Sequence, residues 1–150
     1  NQGLDKTYNY FSPGSDAALA SSIAGAYEKG DPWVGYYWEP TWIVGKYDMT
    51  LLEDIPYDEE QWLQDYTTEL PPVDVTVAVH KSLLEKAPEV VAFLENYNTS
   101  SAITSEALAY MQDNDSTAKE AAIWFLEEYE DLWTSWVPEE IAQEVKSAIK

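Results

Sequence analysis

Hydrophobic and polar positions recur with two different periods along this chain, and the places where the period changes mark its elements. Residues 73–80 alternate Val73, Val75, Val77 and Val79 with Asp74, Thr76, Ala78 and His80. That is the two-residue period of a strand with one face exposed. Residues 16–29 follow the helical period instead, with Leu19, Ile23, Ala26 and Tyr27 on one stripe. Ser15 or Asp16 is placed to cap this helix, after the turn Ser12-Pro13-Gly14-Ser15, and Gly30 is placed to end it. The β-prone run 7–11 precedes it and the apolar run 33–38 follows, so a β-α-β unit with parallel strands and a right-handed crossover is expected.

Further along, residues 46–52 read as another strand. The acidic, irregular stretch 53–70 carries Pro56 and is expected to be pinned by Trp62, and Pro71-Pro72 form a stiff entry to the alternating segment. Three helices are predicted next, over 82–97, 104–113 and 116–136. Pro88 stands in a first turn or at a break, Thr104 is the cap of the second, and Ser116 or Thr117 starts the third. Pro138 opens a last helix through Ile141, Val145 and Ile149. The predicted fold class is therefore α/β, with helices packed on mixed sheets.

Within this pattern the run Gly35-Tyr36-Tyr37-Trp38-Glu39-Pro40-Thr41-Trp42 puts four large aromatics into seven positions. Such a run reads as core, or as ring faces offered to a cation. A quaternary ammonium has no N–H to donate, so aromatic faces are its main selective partners. Trp38 falls at the carboxyl end of its predicted strand, where ligands sit in open α/β sheets. Tyr36 is two residues back on the same strand face. Trp42 is assigned to packing or to the ligand, and Glu39 is either a counter-charge for a bare cation or a solvated carboxylate.

Composition narrows the partners. The 150 residues have the length of one ordinary domain. Seven Trp and eleven Tyr stand against three Phe, a bias toward rings with a polar handle. With 28 acidic against 8 basic residues the net charge is −20, which repels nucleic acid and anionic lipid. The same surface enriches cations, and equally serves solubility alone. Without cysteine there is no disulfide framework, thiol catalysis or Cys-type metal site. No apolar run approaches the ~20 residues of a membrane span, and no signal peptide opens the chain. The start Asn1-Gln2-Gly3-Leu4 reads as the interior of a fold, so an upstream segment is expected.

Catalytic signals are lacking. His80, the single histidine, lies on the half-exposed segment and reads as a surface residue. There is no Gly-x-Ser-x-Gly elbow, phosphate-binding loop or His-rich set, and no Asp-x-Asp-x-Asp-Gly calcium loop. Acidic runs such as Asp58-Glu59-Glu60 read as solvated faces. No enzyme and no cofactor is expected. Trp133 and Trp136, at helical spacing, read as core or as a face toward a partner.

Three stretches together resemble a known family: Val34 through Trp42 with its Trp38-x-Pro40-x-Trp42 motif, Val75 through Leu94 with Lys81-x₆-Pro88-Glu89, and Ala121 through Trp136. They are similar to the glycine betaine/choline/carnitine substrate-binding proteins of osmoprotectant ABC importers, specifically to their C-terminal portion. The resemblance implies a type II periplasmic-binding-protein fold, with two α/β lobes joined by a hinge. It assigns residues 1–44 to part of the second lobe, 45–52 to the hinge crossing and 53–150 to the C-terminal part of the first lobe. It makes Trp38 one wall of an aromatic box around a trimethylammonium group. A quaternary ammonium ligand, an ABC permease in the membrane and an extracytoplasmic location follow, in the periplasm or lipid-anchored on the outer face of the cell membrane.

Family members are usually about twice this length, so the chain is expected to be a fragment, a set of copies that exchange elements as a homo-oligomer, or a shortened architecture. Two other classes remain open: a carbohydrate-binding module stacking sugars on Trp and Tyr, and an interaction domain using the face from Trp124 to Trp136.

Overall fold

A computed structural model describes residues 4–71 and 73–149. The opening Asn1-Gln2-Gly3 and half of the expected Pro71-Pro72 entry therefore lie outside the described residues. Among the described residues a short 3₁₀ turn at Leu4–Lys6 precedes nine α-helices: α1 (Asp16–Lys29), α2 (Trp42–Lys46), α3 (Glu59–Asp65), α4 (Leu83–Lys86), α5 (Pro88–Asn96), α6 (Ser101–Asn114), α7 (Ala118–Glu128), α8 (Glu130–Thr134) and α9 (Glu139–Ala148). Among the described residues there is no strand.

The predicted α/β class, with its mixed sheets and parallel β-α-β unit, is thus corrected to an all-helical architecture. Residues 33–38 and 73–79 carry no helical or strand assignment and no ladder joins them to another segment. A strand is completed by a neighbour's N–H and C=O groups, and alternation in the sequence does not supply that neighbour. The valines of the alternating segment sit in solvent instead, Val75 at 99% exposure. Val75→Thr should accordingly leave the unfolding free energy within about 0.5 kcal/mol of the parent. A loss well above 1 kcal/mol in a denaturant titration would show that this valine is buried in solution.

The helices follow local signals. Ser15 Oγ accepts the Ala18 N–H at 3.2 Å, and Gly30, at φ 72°, ends α1 by donating to the carbonyls of Ala26 and Tyr27. Only glycine adopts that left-handed conformation without steric cost. Pro88 occupies the first turn of α5 and separates it from α4. The cap of α6 is Ser100, whose Oγ accepts the Ile103 N–H at 3.2 Å; the Thr104 hydroxyl, predicted as cap, donates to the Ser100 carbonyl. Before α7, Thr117 and Glu120 form a reciprocal capping box, with the Glu120 carboxylate accepting both the N–H and the hydroxyl of Thr117 at 2.7 Å. These bonds, the backbone N–H first, hold the Glu120 carboxyl below its ordinary range.

Two compact units result. The first comprises Asn1–Asp48 and Ser100–Ala121, the second Met49–Thr99 and Ala122–Lys150. In the first unit α2 packs against α6 and also touches α1, and Ile43 is fully buried. In the second, Trp133, Trp136 and Ala142 form the core, covered by Phe93, Phe125, Leu126, Leu132, Val137 and Val145. Trp133 and Trp136 are thus core. Trp62 gathers Tyr57 and Tyr66 around α3, at ring distances of 6.5 and 5.1 Å.

Candidate ligand-binding site

The aromatic run turns from extended backbone into α2 within the first unit. Thr41 makes that turn. Its Oγ1 accepts the Val44 N–H at 3.4 Å, while its own N–H donates to Ser105 Oγ at 3.2 Å. Ser105 is itself buried on α6, and Gly45 lies directly over its carbonyl. A local N-cap and a close helix contact therefore fix where Trp42 begins its helix.

A cavity of about 380 Å³ opens beside this junction. Tyr37, Trp38, Pro40, Thr41 and Trp42 form one side; Asp16, Ala17 and Ala20 of α1 and Leu108 of α6 complete it. Three aromatic side chains, one carboxylate and no Lys, Arg or His are among these lining residues. The Trp38 ring lies 4.8 Å from that of Tyr37, tilted by 35°. Tyr36 stacks on Trp38 at 6.2 Å and is 64% exposed, but it is not among the lining residues. Trp38 is 39% exposed, so its removal leaves no deep void.

Behind Trp42 a polar buttress holds α2. The Trp42 ring sits 6.4 Å from Tyr47, whose hydroxyl donates to Glu28 at 3.1 Å. Tyr27 lies against the same Tyr47 ring at 4.7 Å. Burial, followed by the Glu28 carboxylate, pushes the Tyr47 phenol above its ordinary value. Lys46 pairs with Asp113 of α6, and that hydrogen bond is the first cause raising the Lys46 ammonium. At neutral pH Tyr47 is neutral and Lys46 charged, so the buttress holds its protons across the physiological range.

The structure thus brings Trp38 and Trp42 to one cavity and leaves Tyr36 at its edge. Glu39 is exposed and outside the lining. His80 lies in the second unit, its Nδ1 2.9 Å from Ser82 Oγ. The sequence pattern does not mark Tyr37 or Asp16 as site residues. Alternation along a strand would put Tyr37 on the face opposite Trp38, and without a pleated sheet that alternation does not apply. In the sequence Asp16 signals a helix cap alone.

Among the described residues no helix is long and apolar enough to cross a membrane. Comparison with curated proteins returns no match. Residues 1–128 match the family model described as the substrate-binding domain of the ABC-type glycine betaine transport system. That span includes the whole cavity and most of the chain. It is a family of substrate-binding domains, not an enzyme family, and it implies a quaternary ammonium ligand and an ABC permease partner. The chain belongs to the family of substrate-binding domains of ABC-type glycine betaine transport systems, with a substrate-binding role in such a system.

Proposed function

We propose that the chain captures a quaternary ammonium osmoprotectant against the rings of Trp38, Tyr37 and Trp42, with Tyr36 at the rim, and delivers it to an ABC permease from the outer side of the cell membrane. The observation that carries this is the aromatic cavity itself, which has no cationic side chain in its lining to repel an ammonium. Each desolvated ring face contributes roughly 2 kcal/mol to a cation, so two or three give ~4–6 kcal/mol gross. A micromolar receptor requires about −8 kcal/mol net, after association costs. The rings alone fall short of that. The rest comes from contacts to the other end of the ligand and from closure that shuts water out.

The test is a tryptophan-fluorescence titration with glycine betaine and choline, run beside neutral tert-butyl analogues of the same shape. Only the charged ligands should give a saturable change; a response to the neutral analogues or to neutral glycans instead would refute the cation site. Trp38→Ala should weaken binding by at least ~1.5 kcal/mol. Its unfolding midpoint should stay near the parent's, since the side chain is already partly in solvent. Unchanged affinity in that variant would remove Trp38 from the site.

A further inference from the structure

The second unit keeps the pattern of a strand without a strand's neighbour. No backbone hydrogen bond joins residues 73–79 to another described segment, and Val73, Val75, Val77 and Val79 are all exposed. Val75, Val77 and Val79 form one side of a groove of about 410 Å³. Leu84 of α4 and Val91 and Leu94 of α5 line its other side. An open row of N–H and C=O groups beside apolar side chains is a template for another chain. A two-stranded ribbon alone is marginal in water and holds once it packs on a helix. Here α5 already stands beside the valines.

The segment is complementary to itself. Two copies related by a two-fold axis set residue i opposite j and j opposite i. With antiparallel segments centred on Val77, Val75 meets Val79, Thr76 meets Ala78, and Asp74 meets His80 at both ends. His80 Nδ1 accepts the Ser82 N–H at 3.1 Å, so the neutral ring carries its proton on Nε2 and donates from there. The Asp74 carboxylate of the other copy is the acceptor it meets. Centring on Thr76 instead would set Asp74 against Ala78, and Pro72, which has no N–H, against His80. An odd shift would set valines against polar positions. We propose that residues 73–80 are an interface between two copies of this chain, pairing antiparallel about Val77 with the valine face closed over α5 of each copy. A net charge of −20 on each chain opposes this contact. The interface is also small, so association is weak, on the order of 0.1 mM. In dilute solution the copies are separate and the valines stay in water. Salt screens the repulsion between the chains while the paired backbone and valines are uncharged, so association strengthens with salt.

The experiment is sedimentation velocity on the 150-residue chain from about 0.01 to about 0.5 mM, in about 0.02 M and about 0.5 M salt. The mass should rise from one copy to two with concentration, and at lower concentration in the higher salt. Amide hydrogen exchange across 73–79 should slow as the dimer forms. Val77→Pro removes an N–H from the centre of the pairing and should weaken association at least about 10-fold. Its urea midpoint in dilute solution should match the parent's, because Val77 is half exposed there and its N–H has no backbone partner. His80→Asp sets two carboxylates together at each end and should weaken association about 3–10-fold at matched salt. Adding Asp74→His to it exchanges the two side chains at constant composition, and should recover the loss. A single-copy mass under every condition would overturn the proposal. So would a dimer that Val77→Pro leaves intact with 73–79 unprotected, or a mass that keeps growing past two copies. Failure of the exchanged pair to recover would overturn the register about Val77.

Discussion

Trp133→Ala should destabilise the second unit by about 3–5 kcal/mol, a large part of the stability of a small domain. Trp133 is 3% exposed and stands at the centre of that unit's core. Its indole N–H donates to the Leu126 carbonyl at 2.7 Å, tying α8 back to the turn of α7 seven residues earlier. Next to it Trp136 stacks on Phe125 at 6.1 Å and meets Tyr97 edge-on at 4.9 Å, so α5, α7 and the segment after α8 share one aromatic cluster. Truncation to Ala removes the ring, opens a cavity among rigid neighbours and takes away the donor at Leu126. Trp133→Phe separates these effects, because it keeps most of the ring contact and loses the donor; it should cost about 1–2 kcal/mol. Urea unfolding followed by near-ultraviolet circular dichroism reads both. A loss below 1 kcal/mol for Trp133→Ala would place the centre of this core elsewhere.

Features set by neighbours in sequence were legible without a structure. Helix α1 was, because Ser15 and Gly30 act within a few residues of the backbone groups they satisfy. The break before α5 was too, since Pro88 removes a donor whatever else the chain does. The cap of α6 lies four residues before Thr104: Ser100 and Thr104 are both suited to the position, and only the backbone course decides between them. Strands failed for a different reason. The alternation in residues 73–80 is plain, but a ladder needs a second segment at the right register, and no described segment provides one.

The candidate site was legible in the same partial way. Trp38 and Trp42 were reachable from the density of rings at positions 36–42, because chain connectivity alone brings them close. Asp16 and Leu108 come from elsewhere in the chain, and the packing of α2 on α6 that brings Leu108 beside Trp42 depends on Gly45 and Ser105. Neither of those two residues carries a sequence signal for such a contact. An isolated glycine in a five-residue helix reads as a weakness until its neighbour is seen.

Gly45→Ala tests that contact, and its effect should exceed that of any other single methyl group added to the first unit. A Cβ built on Gly45 would lie 2.1 Å from the Ser105 carbonyl oxygen and 2.4 Å from its carbon, with the Glu106 nitrogen at 3.0 Å. These are backbone atoms of α6, so no rotamer change relieves the overlap; α2 and α6 must separate. The expected cost is about 3 kcal/mol, at the upper end for overpacking. Separation would also break the Thr41 N–H bond to Ser105 Oγ and carry Trp42 away from Leu108, so the ligand response should be lost with the stability. Gly25→Ala is the control. It lies inside α1 with nothing within 4 Å of the added carbon, and should stabilise the chain by about 0.5–1 kcal/mol with binding intact. The three glycine and tryptophan variants then separate: Gly45→Ala loses fold and ligand together, Trp38→Ala loses ligand alone, and Gly25→Ala loses neither. If Gly45→Ala unfolds at the same urea concentration as the parent, the two helices are not in contact at this point, and Trp42 is not held where a shared cavity with Trp38 requires it.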